Sequence, residues 1–183
     1  MKLKLTHSDF IARKITNDII KSPQVEVRKT KDEIKKQVLK IINDDIQKEI
    51  NLDNAVNKIL DENEDDIEFY HADTKELFWM TKKKLANDFD VHLKAEDRYT
   101  QIAFTILDTL YEEDFIHFTV ADNFIKNIIL GSIEQFMAGF DDADTVAYER
   151  IKNFHRRIVP GTDEYNDIYM RLYEEELIKR GLI

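Results

Sequence analysis

The sequence contains no cysteine, only four glycines and two prolines, and no long apolar run. The lack of cysteine excludes disulfide bonds, thiolate zinc sites, iron–sulfur clusters and thiol nucleophiles, and it is typical of a reducing compartment. With so few glycines, a glycine-rich phosphate-binding loop cannot be built. The apolar stretches are too short to span a membrane, and the N-terminus is too polar for a secretory signal. We therefore expect a soluble cytoplasmic protein.

Charge is abundant: 35% of the 183 residues are charged, and the net charge is −10. Residues 1–91 carry −2 and residues 92–183 carry −8. A protein that binds nucleic acid mainly through its phosphates carries a basic field, so this balance opposes nucleic-acid binding. High charge together with ample isoleucine, leucine and phenylalanine indicates amphipathic helices rather than disorder.

Apolar residues of the first half recur in the second half at an offset of 91 positions, which drifts to 92 farther along, where Ala55 matches Ala147 and Ile59 matches Ile151. The matched pairs are Ile11 with Ile102, Ile15 with Ile106, Ile19 with Leu110, Val25 with Ile116, Val27 with Phe118, Ile34 with Ile125 and Val38 with Ile129. Chance agreement between amphipathic helices is the alternative, since such helices share a period. Because the match also crosses the non-helical segments VEV and IHF, the pattern favours an internal duplication, with repeat one at 1–91 and repeat two at 92–183.

Helix start and stop signals support the same organisation. The predicted N-caps are Ser8, Thr30, Asp53 and Asp73 in the first half and Asp122, Asp144 and Thr162 in the second half. Glu33 completes a capping box with Thr30, and Gly181 is a predicted left-handed C-terminal cap. We predict a mainly α fold: residues 1–183 form one compact body, a helical bundle of two fused, related halves. At most a small two-stranded β ribbon joins the halves, with residues 25–27 paired to residues 116–118.

The sequence offers few candidates for chemistry. The acidic run at 61–66 and the cluster Asp141, Asp142 and Asp144 could hold a divalent cation. The run at 61–66 lies within a helical pattern between Leu60 and Ile67, so we interpret it as a solvated helix face. The second cluster lacks the glycine and the later oxygen ligands of an EF-hand loop, so we interpret it as a helix cap. The five histidines lack helical metal-site spacing, and the common nucleophile and nucleotide motifs are missing. We predict no catalytic residue, no metal site and no cofactor.

The most unusual segment is LFWMTKKKLA, residues 77–86. Three large apolar side chains in a row, at positions 78–80, cannot all face one surface of a helix. An exposed aromatic ring beside lysines is typical of a protein-contact hot spot, and it also suits stacking on a nucleic-acid base. The alternative is that Trp79 fills the interface between the halves. The candidate interaction surface consists of Phe78, Trp79, Lys82, Lys83, Lys84, Arg156 and Arg157.

Four segments together resemble the bacterial DUF507 family of unknown function. They are MKLKLTHSDFIARKI, DENEDDIEFYHADTKELFWMTKKKLA, YEEDFI and RLYEEELIKRGLI, and the resemblance covers essentially the whole chain. Many members are about half as long, so the chain resembles a double-length form. The resemblance implies a small cytoplasmic helical protein, fused from two copies that would otherwise dimerise, and it supplies no functional residues.

These observations predict a non-enzymatic cytoplasmic adaptor or regulatory module with an unidentified protein partner, no membrane association, and a monomeric or homodimeric state. One alternative is a regulator associated with nucleic-acid machinery, which would use two basic clusters: the lysines at 82–84, and Arg150, His155, Arg156 and Arg157. The other, ranked below it, is a metal-dependent enzyme that uses the acidic residues.

Overall fold

A computed structural model of the chain describes residues 3–154 and 158–183, apart from the side chains of residues 140 and 141. Its helices are α1 (Ser8–Lys21), α2 (Lys31–Asp61), α3 (Glu64–Phe69), α4 (Thr74–Leu85), α5 (Ala95–Glu112), α6 (Asp122–Lys152) and α7 (Asp163–Lys179). Two short strands, β1 (Val25–Val27) and β2 (Ile116–Phe118), follow α1 and α5. The predicted mainly α fold is confirmed.

The predicted ribbon is also confirmed. Strands β1 and β2 pair antiparallel, with Val25 opposite Phe118, Glu26 opposite His117 and Val27 opposite Ile116. Next to this ladder, the backbone N–H of Arg28 donates to the carbonyl of Phe115 at 2.9 Å. A two-stranded ribbon is marginal by itself in water. It persists here because it lies on the helical core and joins opposite halves of the chain.

Two predicted helix boundaries are wrong, because α2 and α6 each continue for 31 residues. Asp53 lies inside α2, where its carboxylate is 2.6 Å from the ammonium of Lys82. Asp144 lies inside α6, where its carboxylate accepts a hydrogen bond from the hydroxyl of Tyr169. An aspartate interrupts a helix when its side chain bonds to the nearby backbone. Both side chains instead have tertiary partners, so the helices continue.

Of the remaining predicted helix caps, some are confirmed and others are wrong. Thr30 and Glu33 form the expected capping box, in which the N–H of Glu33 donates to the Thr30 hydroxyl at 3.3 Å and the N–H of Thr30 donates to the Glu33 carboxylate at 2.8 Å. The capping predictions for Asp73, Thr162 and Gly181 are confirmed as well. Ser8 and Asp122 are the first residues of their helices, and their predicted capping roles are wrong.

A single large core contains apolar residues from both halves of the sequence. Helix α1 packs against α2 and against α6, α5 packs against the same two helices, and α7 packs against α6. Its fully buried members include Ile15, Ile34, Ile106 and Ile125. This shared core is consistent with one body, whereas the internal duplication stays a prediction.

A second, smaller apolar cluster lies apart from the main core. Leu52 and Val56 of α2 are buried in it together with Ala86 and Val91. The half-buried residues packed against it are Leu60, Phe78, Leu85 and Phe89. Helix α4 is therefore attached to the C-terminal half of α2, outside the main core.

The shared core predicts that Ile15→Ala and Ile106→Ala each lower the free energy of unfolding by about 2–5 kcal/mol, because each leaves a cavity in the same packed interior. Urea unfolding followed by circular dichroism should stay a single transition in both variants. Ile59→Ala, at an exposed position of α2, is the control and should shift the unfolding free energy by about 0.5 kcal/mol or less. Two separate transitions, of which only one moves, would contradict a single body.

Candidate functional site

Helix α4 begins at a well-formed cap and presents two different faces. The carboxylate of Asp73 accepts hydrogen bonds from the backbone N–H groups of Lys75 at 2.8 Å and Glu76 at 3.2 Å. The inner face of α4 places Lys82 against α2, and this side chain is only 3% exposed. The outer face carries Trp79 and Met80, which are 55% and 50% exposed.

Lys82 belongs to an ion-pair cluster that joins α2, α4 and α5. Asp45, Glu49 and Asp53 follow one another at intervals of four on α2, so their side chains lie along one face of the helix. The ammonium of Lys82 is 2.6 Å from the Asp53 carboxylate and 3.1 Å from that of Glu49. From α5, the guanidinium of Arg98 lies 2.6 Å from Asp45 and also bonds to Glu49. Glu49 is therefore shared by both cations.

The charges in this cluster stabilise one another against burial. Burial disfavours the charged form of Arg98, but the carboxylates of Asp45 and Glu49 outweigh that effect, and the pKa of Arg98 is raised. A buried cation is tolerated only when it is paired and hydrogen-bonded. The cluster thus fixes α4 on α2 and α5 in one arrangement, which the small apolar cluster alone would not specify.

Four members of the ion-pair cluster, Glu49, Asp53, Lys82 and Arg98, form the floor of a groove of about 420 Å³, called here the first groove. Its walls come from Phe78 and Trp79 of α4, Tyr99 of α5 and Leu93 of the preceding loop. The ammonium of Lys82 lies 5.4 Å from the ring centroid of Trp79 and 5.9 Å from that of Phe78, so both rings contribute cation–π contacts. Buried charges and aromatic walls converge in this groove as they do in ligand sites.

A second groove, of about 510 Å³, lies between the segment that precedes α1, the C-terminal part of α6, and α7. Its lining includes Lys4, His7, Asp144 and Tyr169. Burial lowers the pKa of His7 to about 4, with a further contribution from Lys4, so the imidazole is neutral near pH 7. Burial and the hydrogen bond to Asp144 raise the pKa of the Tyr169 hydroxyl. This groove is consequently much less charged than the first.

The acidic segments show no sign of a metal site within the described residues. The side chains at 61–66 are exposed. In residues 3–154 and 158–183, apart from side chains 140 and 141, no group of three or more histidine, aspartate or glutamate side chains is arranged to hold a metal ion. In the same residues, none of the helices has both the length and the apolar character needed to cross a bilayer.

A comparison with protein-family models identifies the family. The model described as "Protein of unknown function (DUF507)" matches residues 1–182. The chain belongs to the DUF507 family. The resemblance seen in the sequence is thereby confirmed over nearly the whole chain, and no curated protein matches it.

The structure separates the predicted interaction surface of this DUF507 protein into three parts. Trp79, Lys83 and Lys84 lie exposed on the outer face of α4, and Phe78 is half-buried in the groove wall. Lys82 points inward and is not part of an exposed surface, because Glu49 and Asp53 hold it. The predicted contacts at residues 156 and 157 lie outside the described residues.

Sequence reasoning missed the ion-pair cluster. Its one local signal was the spacing of Asp45, Glu49 and Asp53, which places three carboxylates in line on α2. That spacing is common on solvated helix faces, and nothing in the sequence marks Lys82 and Arg98 as the partners. They come from two other helices, so only the tertiary fold reveals the cluster.

The buried pairing predicts that Lys82→Met lowers the free energy of unfolding by about 3–5 kcal/mol, because it leaves Glu49 and Asp53 without their shared cation. Lys83→Met on the exposed face is the matched control and should change it by about 0.5 kcal/mol or less. Urea unfolding should be followed by circular dichroism for the whole chain and by Trp79 fluorescence for α4. Equal effects of the two variants would contradict the pairing.

His7 gives the stability a defined pH dependence. In the unfolded chain it binds a proton near pH 6.5, whereas the folded protein keeps it neutral down to about pH 4. Between these values the unfolded state binds more protons, so the free energy of unfolding falls as the pH is lowered. His7→Gln should reduce the difference in unfolding free energy between about pH 7 and about pH 5. His92→Gln, at an exposed position, is the control and should leave that difference unchanged. An unchanged difference in His7→Gln would disprove the contribution of His7 to the pH dependence.

Proposed function

We propose that this protein is a non-enzymatic interaction module of the cytoplasm and that its contact face is the outer face of α4. One observation carries the proposal: Trp79 and Met80 are about half exposed there, next to the exposed ammonium groups of Lys83 and Lys84. Tryptophan is among the residues most enriched in binding hot spots, because a single ring removes a large area from water.

The charge around Trp79 indicates the chemical character of the partner's surface. Lys75, Lys83 and Lys84 are exposed on α4 and outnumber the exposed Glu76. This basic patch lies on a protein whose net charge is −10. We propose a protein partner that supplies an apolar side chain for Trp79 and carboxylates for the lysines, since complementary charge favours association and excludes wrong partners.

The attachment of α4 supports the same proposal. The ammonium of Lys82 forms ion pairs with Glu49 and Asp53 on α2. It also lies 5.4 Å from the ring centroid of Trp79. A contact residue that is already fixed in place loses little conformational entropy on binding. The buried ion pairs therefore pre-organise the exposed face.

The test is affinity capture from native lysate with the tagged full chain, with and without nuclease. Trp79→Ala and the double variant Lys83→Glu/Lys84→Glu should each lose a stoichiometric partner that survives nuclease. For the purified complex, we expect Trp79→Ala to bind at least about 30-fold more weakly, the scale of a hot-spot truncation.

Two controls match these variants. Tyr148→Ala removes an aromatic ring of similar exposure on α6, and Lys29→Glu/Lys31→Glu makes the same charge change on another surface. Both should keep the partner. An unchanged set of captured proteins in the α4 variants would refute the proposed face, and a partner lost only on nuclease treatment would favour the regulator associated with nucleic-acid machinery.

A further inference from the structure

Residues 61–70, called here the acidic segment, carry the two most exposed large apolar side chains of the described residues. Phe69 and Tyr70 are 76% and 74% exposed, at the end of α3. Their rings pack edge to face with centroids 5.0 Å apart, so the two rings hold each other in place. A contiguous pair of aromatic rings that stays this exposed in a folded chain indicates an interaction surface.

The charge of the acidic segment is entirely negative. It contains six carboxylates and no lysine or arginine. The carboxylate of Glu62 lies 3.9 Å from the ammonium of Lys58. Among the described residues, the other five carboxylates form no ion pair; they belong to Asp61, Glu64, Asp65, Asp66 and Glu68, all of which are exposed. The surface around the aromatic pair can therefore receive cations.

The outer face of α4 is the complementary surface. Lys75, Trp79 and Lys83 follow one another at intervals of four, so an ammonium group lies on either side of the exposed ring along the helix. Lys84 lies beside the exposed Met80 by the same spacing. Within the described part of the chain, these three lysines form no ion pair, and the acidic segment of the same copy does not reach them.

We propose that a second copy of this chain binds here, with the acidic segment of each copy on the outer face of α4 of the other. The inference rests on the proposed function, because it names the partner of that face. The acidic segment supplies both features expected of the partner, apolar rings for Trp79 and carboxylates for the lysines. Complementary charge on two surfaces favours their association.

The turn between α3 and α4 suits a closed dimer. His71 has a left-handed backbone conformation with φ of 52°, and the N–H of Ala72 donates to the carbonyl of Ile67 at 3.1 Å. Because this turn is short, the two complementary surfaces are neighbours in the chain. A two-fold axis then allows both contacts to form at once in one isologous interface. Packing of α4 on α4 of the second copy would instead bring like charges together.

The aromatic rings and the charges contribute differently to this interface. Exposed ion pairs add little net affinity, so the rings supply the affinity and the charges select the orientation. The net charge of −10 on each copy opposes dimerisation, and the local pairing of opposite charges offsets that repulsion. We therefore expect a monomer–dimer equilibrium with a dissociation constant of about 1–100 μM.

The test exchanges the charges of the two surfaces in the purified full-length chain. The basic-face variant is Lys75→Glu/Lys83→Glu/Lys84→Glu, and the acidic-segment variant is Asp65→Lys/Asp66→Lys/Glu68→Lys. Analytical ultracentrifugation measures dimerisation. Each variant alone should dimerise at least about tenfold more weakly than the unaltered chain, because its two surfaces no longer carry opposite charge. An equimolar mixture should dimerise again, since each altered surface then meets the opposite charge on the other variant.

General repulsion between acidic proteins predicts a different result. Each Asp or Glu replaced by Lys adds two charges, so the acidic-segment variant changes from −10 to −4 and should dimerise more strongly if only net charge matters. The matched control for the basic-face variant is Lys29→Glu/Lys31→Glu/Lys36→Glu, which makes the same change of net charge at exposed positions elsewhere. This control should remain dimeric.

A second pair of variants tests the rings without changing any charge. Phe69→Ala/Tyr70→Ala should weaken dimerisation by at least about tenfold, the scale of a hot-spot truncation. Tyr148→Ala removes an exposed ring from α6 and should leave the equilibrium unchanged. Equal effects of these two variants would contradict the assigned surface.

Three outcomes of the charge exchange would overturn the proposal: a monomer at every concentration, a dimer of full affinity in either variant, or a mixture that stays monomeric. Circular dichroism confirms that each variant is folded, and a misfolded variant could not be rescued by mixing. The proposed function is read separately, by affinity capture. If the chain is monomeric but Trp79→Ala loses a captured protein other than this chain, the second copy is refuted and the outer face of α4 remains a contact face.

Discussion

The packing of α1 against both long helices is the constraint on which the rest of the structure depends. Residues such as Ile15 and Ile19 are fully buried between α2 and α6, so the first helix of the chain is part of a core that the second half completes. The strand that follows α1 must then lie beside the strand that follows α5, and the β1–β2 ribbon forms there. Because α1 and the β1–β2 ribbon are both fixed, the direction of α2 is defined. The C-terminal half of α2 holds α4 away from the main core.

That position explains why α4 depends on electrostatics. Among the described residues, the apolar cluster beneath it contains four that are buried: Leu52, Val56, Ala86 and Val91. Burial of so little apolar surface leaves the rotation and the sliding of a short helix poorly defined. Ion pairs depend on the positions of both charged groups. Because Lys82 must reach two carboxylates on α2, α4 can pack in one orientation. A buried ion pair contributes little net stability compared with apolar packing, but it penalises every arrangement in which a charge is left alone. The same ion pairs keep Trp79 beside the cluster and leave much of its ring exposed.

The sequence was sufficient to predict those structural features that depend on interactions between residues close together in the chain. The capping box at Thr30 and the alternating segments VEV and IHF were readable, and the pairing of those two segments followed from the offset between the halves. Local signals failed where tertiary partners override them. Asp53 and Asp144 look like helix caps, but Lys82 and Tyr169 engage their side chains and the helices run on. Lys82 looks like the first of three solvated lysines, yet its position on the helix turns it toward α2, while Lys83 and Lys84 turn away.

The duplicated origin that the sequence predicts would account for the pattern of agreement and difference between the halves. Apolar positions such as Ile15 and Ile106 serve one shared core, so a change at either must be compatible with the packing of both halves. The grooves lie at the edge of that core and can change separately. Asp53 and Asp144 are the same residue type, but the partner of Asp53 is a lysine and the partner of Asp144 is a tyrosine. The first groove is lined by the paired charges of Glu49, Asp53, Lys82 and Arg98 together with Trp79, whereas His7, Tyr169 and Met170 are among the residues that line the second.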